Sequence, residues 1–77
     1  MMENIIEALR ELEEDSSVPR NIKNKINETI RFLEQEGEDS IKISRALSEL
    51  EQVTEDANME PYTRMQLLNV VSLLESV

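Results

Sequence analysis

The chain has 77 residues, 39% of them hydrophobic and 32% charged, and a formal net charge of −9 from 17 acidic and 8 basic side chains. It contains no cysteine and no histidine, which excludes disulfides, thiolate nucleophiles and zinc–thiolate sites and removes the usual general base and metal ligand. So short a chain buries only about 60% of the surface its unfolded form exposes, so a deep catalytic pocket would take packing volume that its stability requires.

Hydrophobic periodicity predicts four helices. The first runs from about Glu3 to Glu14, with Ile5, Leu9 and Leu12 on one stripe and Ile6 and Ala8 beside it. Asp15-Ser16-Ser17 breaks it. Helix 2 enters through Val18-Pro19, since the first helical N–H groups have no intrahelical partner to lose; its stripe is Ile22, Ile26, Ile30 and Leu33, with Phe32 to the side. Gly37 is expected to end this helix in the left-handed conformation and Asp39 or Ser40 to cap the next. Helix 3 presents Ile43, Leu47, Leu50 and Val53, and ends at Asp56-Ala57-Asn58. Pro61 opens helix 4, whose inward stripe is Leu67, Val70, Val71 and Leu74.

A shift of 41 residues lays the sequence on itself without a gap. Leu9 meets Leu50, Glu14 meets Glu55, Asp15 meets Asp56, Leu33 meets Leu74 and Glu34 meets Glu75. Ile6 and Leu47, Leu12 and Val53, Val18 and Met59, Lys23 and Arg64, Ile26 and Leu67, and Ile30 and Val71 are similar pairs in the same register. The expected fold is therefore all-α: a single domain, 1–77, in which two duplicated helical hairpins, 1–36 and 40–77, close into a four-helix bundle. The alternative is a pair of HEAT-like helical repeats, suggested by Leu12-x-x-Asp15-x-x-Val18-x-Arg20, although two units are few for a solenoid.

The longest uncharged run, Met65 to Leu74, is about half a membrane span, and the N-terminus shows no secretion signal, so a cytoplasmic protein with no membrane partner is expected. The turn Asp15-Ser16-Ser17-Val18-Pro19-Arg20, the second turn from Asp56 to Arg64 and the ending Val71-Ser72-Leu73-Leu74-Glu75 resemble those of the archaeal uncharacterised protein family 0147. Members tend to have Pro-Pro before the tyrosine where this chain has Glu60-Pro61. The resemblance implies a compact four-helix protein of an archaeal cytosol, and it brings no activity and no functional residues.

Two surfaces stand out. On helix 4, Met65, Leu68 and Leu73 lie outside the inward stripe, while the helix 2 equivalents of Met65 and Leu68 are Asn24 and Asn27. The apolar excess marks either a more enclosed helix or a self-association surface. On helix 2, Arg20, Lys23, Asn24, Asn27 and Arg31 form the one basic side, a face for an acidic partner or RNA. Against it stands a helix 1 row, Glu3, Glu7, Glu11 and Glu14, expected to pair with it across the hairpin as ordinary surface decoration.

Asp56-Ala57-Asn58-Met59-Glu60 alternates oxygen ligands like a calcium loop but has Pro61 where the sharp turn needs glycine. Asp15 and Asp56 are better read as turn formers. Tyr62 is expected to be a packing residue with its hydroxyl in water. No catalytic, cofactor-binding or metal site and no cofactor is expected. The preferred function is a non-enzymatic protein–protein interaction module that pairs through helix 4 and binds another cytosolic protein; the alternative is an RNA- or ribosome-associated factor that uses the helix 2 face.

Overall fold

Each apolar stripe obliges its helix to find another helix to lie against. The computed structural model describes residues 2–77, and Met1, the first residue of the expected hairpin 1–36, lies outside them. Four helices follow in order, α1 (Met2–Glu14), α2 (Arg20–Glu34), α3 (Asp39–Thr54) and α4 (Pro61–Glu75), with no strand among the described residues. Consecutive helices pack on each other, α1 also packs on α4, and no Cα of α1 comes within 8 Å of one in α3, nor any of α2 within 8 Å of one in α4. The four therefore enclose one interior in a molecule measuring 33 × 19 × 18 Å.

That interior repeats with the sequence. The buried residues of the first half are Ile5, Leu9, Leu12, Val18, Ile22, Ile26, Thr29, Ile30 and Leu33. Adding 41 to each number produces Ala46, Leu50, Val53, Met59, Thr63, Leu67, Val70, Val71 and Leu74, which are the buried residues of the second half. The backbone follows the same register at both intra-hairpin turns. The N–H of Asp15 donates to the Leu12 carbonyl at 3.2 Å and that of Asp56 to the Val53 carbonyl at 3.1 Å. Val18 donates to Asp15 and Met59 to Asp56, at 3.2 and 3.3 Å.

The helix ends depart from expectation in three places. Pro19 lies one position outside α2 as its N-cap, and its carbonyl accepts the Lys23 N–H at 3.0 Å. Gly37 does adopt a positive φ, 141°, but α2 has already ended at Glu34 with an extended Gln35 as its C-cap, so the glycine shapes the link and not the helix end. Glu38, and not Asp39 or Ser40, is the N-cap of α3, with no side-chain hydrogen bond. Asp39 instead sits in the first turn, where its carboxylate lies 3.6 Å from the Lys42 ammonium.

On α3 the inward stripe is centred on Ala46, Leu50 and Val53, and Ile43 and Leu47 pack half-buried against its edge. Ala46 has no bulk to advertise itself in a hydrophobic pattern, and its small size lets the helices approach. Cations close two carbonyl ends. Lys42 donates to the Gln35 carbonyl at 2.8 Å beyond α2, and Arg64 donates to Thr54 and Asp56 carbonyls at 3.1 and 2.7 Å beyond α3. Carbonyls at a helix C-terminus lack intrahelical donors and carry the negative end of the dipole.

Two buried hydroxyls behave differently. Thr29 Oγ1 donates to the Lys25 carbonyl one turn back at 2.9 Å, whereas Thr63 Oγ1 is buried with no partner. The residue equivalent to Thr63 in the first half is Ile22. Thr63→Val replaces an unsatisfied hydroxyl with a methyl of the same shape and is expected to stabilise the fold by about 1 kcal/mol, read as a higher urea midpoint at unchanged slope. Arg64→Ala removes two charge-assisted bonds at the end of α3 and is expected to destabilise by about 2 kcal/mol, with Arg64→Lys restoring only part because a point ammonium does not reproduce the guanidinium fork.

Candidate functional site

With the inward stripe of α4 committed to the core, the rest of that helix is unusually bare of charge, since no ionisable side chain occurs from Met65 to Leu74. Six large hydrophobic residues are exposed among those described, and five of them are Tyr62, Met65, Leu68, Leu73 and Val77. Met65 keeps 69% of its surface in solvent, Leu68 51% and Leu73 42%. The account in which α4 is merely more enclosed than α2 therefore fails. Neither α1 nor α3 covers these side chains.

At about 100° per residue, Met65, Leu68 and Ser72 form the outermost strip of α4, and Leu73 lies further round. Tyr62 and Gln66 share Leu73's side and line a groove with Ala8, Glu11 and Leu12 of α1. Tyr62 is 62% exposed, so it is chiefly a surface ring and not the packing residue expected. Its position after a helix-opening proline carries no signal that separates the two. On the opposite flank, a groove on α3 is lined by Ser40, Ile43, Ser44, Leu47, Ser48 and Val77, with Glu51 as its one charged residue.

The basic residues of α2 occupy the outer face of a helix that stands diagonally across the molecule from α4, because the two make no contact. Arg20, Asn24 and Arg31 are exposed and Lys23 is half-buried. Asn27 is not free, because its amide donates to the Glu13 carboxylate on α1. The expected pairing of Glu3, Glu7, Glu11 and Glu14 with this face does not occur: none of these glutamates forms a salt bridge among the described residues. The contacts between α1 and α2 are made instead by Glu13 with Asn27 and by Arg10 with Glu34. Glu13 and Arg10 lie on the side of α1 nearest α2, and the glutamate row points past it.

Five of the eight basic side chains are engaged. Arg10 pairs with Glu34, Lys25 with Glu28 and Glu49, and Lys42 with Asp39. Arg45 lies 4.0 Å over the Phe32 ring, and Arg64 holds the α3 end. Arg20, Lys23 and Arg31 form no ion pair or side-chain hydrogen bond among the described residues; Arg20 and Arg31 are exposed on the outer side of α2, and half-buried Lys23 stands on its α1 flank, where its charge acts on Asp15.

Asp15 and Asp56, which share the 41-residue register, work as turn formers. Asp15 Oδ1 accepts the Ser17 N–H at 2.9 Å and the Ser17 hydroxyl at 2.7 Å, and Asp56 Oδ1 accepts the Asn58 N–H at 2.8 Å. Met59 turns into the core, so the segment from Asp56 to Glu60 does not wrap its oxygens round a common centre. No cluster of three potential metal ligands occurs among the described residues. No described helix is long and apolar enough to cross a membrane.

The geometry is that of a small all-helical protein with an exposed apolar helix and a basic face diagonal to it. Its sequence matches the uncharacterised protein family UPF0147 over residues 1–77, and the chain belongs to that family. A UPF0147 protein of Sulfurisphaera tokodaii is 37% identical over 70 residues, covering 90% of this chain and 79% of the relative. One from Methanopyrus kandleri is 37% identical over 65 residues, 83% and 62% of the two chains. One from Metallosphaera sedula is 34% identical over 70 residues, again 90% and 79%. No solved structure matches the chain.

The Ser17 N–H and hydroxyl hold the Asp15 carboxyl below the ordinary aspartate range, with the Lys23 charge adding to the effect. Because the folded value lies under the unfolded value of about 3.9, the stabilisation is complete above that value and is lost as pH falls through the folded midpoint. An NMR titration of the carboxyl carbons is expected to place Asp15 low. Asp15→Asn, which still accepts the Ser17 N–H, is expected to flatten the acid limb of the melting temperature.

Proposed function

We propose that this protein is a non-enzymatic interaction module of the cytoplasm: one domain, 1–77, built as a four-helix bundle from the duplicated hairpins 1–36 and 40–77, that pairs through α4. The shared 41-residue register of the nine buried positions supports the duplication. Short links of four to six residues between helices that pack together support an up-and-down course. HEAT-like repeats stack first helix on first helix and second on second, and the lack of contact between α1 and α3 and between α2 and α4 speaks for closure instead.

The observation that carries the functional reading is the exposed, charge-free strip of Met65, Leu68 and Ser72 with Leu73 beside it. A molecule of net charge −9 repels its own copies over most of its surface, and this strip is where two copies meet with least repulsion. Stable pairing covers about 800 Å² per partner, roughly a sixth of the 5064 Å² this molecule exposes. The α3 groove adds Ile43 and Leu47 toward that size, with Glu51 the one charge in its lining. A two-fold contact makes the same patch serve both copies. Against an enzyme stand the missing histidine and cysteine and surface depressions such as the one at Met65, Leu68 and Ser72, which is lined by residues of a single helix.

Light scattering coupled to gel filtration is expected to return about twice the 8.9 kDa chain mass. Leu68→Asp is expected to halve it with the circular dichroism unchanged, since the side chain lies outside the core. A wild-type mass near that of one chain at high micromolar concentration overturns the pairing.

A further inference from the structure

We infer that the outer face of α2 is a docking site for an acidic polypeptide segment of a partner protein, with Arg20, Lys23 and Arg31 as the groups that receive its carboxylates. In a chain with 17 acidic side chains, cations find internal partners easily, and five of the eight do. Of the three that do not, Arg20 and Arg31 are exposed on the outer face of α2, eleven residue steps or about 16 Å of helix apart, and half-buried Lys23 stands at the α1 edge of that face. Asn24, exposed between them, adds an amide that bonds carboxylates equally well.

The form of the face decides between an acidic polypeptide and a nucleic acid. It is a line on one convex helix, flanked by carboxylates on both edges: Glu13 and Glu34 toward α1 and Glu28 toward α3. A nucleic-acid strand carries phosphates without interruption and meets those carboxylates wherever it leaves the line. A polypeptide places discrete charges and meets only the cations. Single-strand binders also combine a basic groove with aromatic platforms, and this chain has two aromatics, both elsewhere. Phe32 lies under Arg45 of α3, and Tyr62 lines the α1–α4 groove. A helix with carboxylates at the spacing of Glu3, Glu7, Glu11 and Glu14 spans the same eleven residue steps as Arg20 to Arg31. The site is independent of pairing through α4, which lies diagonally opposite and leaves it uncovered; a paired molecule would display it twice.

The test titrates the full-length protein into a fluorescent peptide helix carrying glutamates at the α1 spacing, and separately into a short single-stranded RNA, by anisotropy. Saturable peptide binding is expected, weakened at least about tenfold between about 50 and 500 mM salt, as contacts between exposed charges are. Arg20→Glu with Arg31→Glu, both exposed positions, is expected to weaken it by at least about tenfold as well, with unchanged circular dichroism. Leu68→Asp is expected to leave the peptide affinity of each chain intact, which separates this site from the α4 reading. Absence of peptide binding, binding indifferent to the charge reversal, tighter binding of the RNA, or a salt-sensitive self-association abolished by the same reversal each overturns the inference.

Discussion

Everything in this molecule depends on the disposal of four apolar stripes in a chain too short to offer them any other cover. Helical periodicity places Ile5, Leu9 and Leu12 on one side of α1 and Ile22, Ile26, Ile30 and Leu33 on one side of α2. Burying such side chains yields about 1.5–3 kcal/mol each, and one hairpin encloses only one side of them. The second hairpin supplies the other, with buried positions in the same 41-residue register. Thr and Val or Ile exchange at two of these positions, 29 with 70 and 22 with 63, which changes polarity at both and volume, by about one methylene, only at the second. Thr29 hides its hydroxyl in a bond to the turn below, and Thr63 does not.

Charge is organised around that interior. The cations beside carbonyl ends, Lys42 and Arg64, are taken up in closing helices, and Arg10 and Lys25 tie neighbouring helices at the surface. What is left over is not scattered. The cations without an ion pair lie on the outer side of α2 and its α1 edge, and the charge-free apolar surface lies on the outer side of α4. These two helices are equivalent under the 41-residue shift, and their core-facing halves are alike while their solvent-facing halves differ. A core position is constrained by volume on all sides, whereas an outer position answers only to water or to a partner.

Most of the elements are legible from residue order. The stripes of α1 and α2, the proline before α2 and at the start of α4, and the two aspartate turns are local features, and each appears where its chemistry requires. The exposed Met65, Leu68 and Leu73 were also legible as residues outside a stripe. Misread were features whose outcome is set by a neighbour. Ala46 took the centre of α3 from Ile43 and Leu47 because close helix approach rewards a small side chain there. Glu38 became the α3 cap although Asp39 and Ser40 are better cappers by type.

Residue order by itself determined an all-helical chain with a doubled hairpin pattern, a basic stretch within an acidic whole and an apolar excess near the C-terminus, because periodicity, turn chemistry and charge are properties of adjacent residues. Only the tertiary structure decided which helices touch, that the glutamate row of α1 points past α2, and which three cations remain unengaged. Those outcomes depend on the rotation of each helix about its axis against its neighbours, a quantity set jointly by side chains that are far apart in the chain.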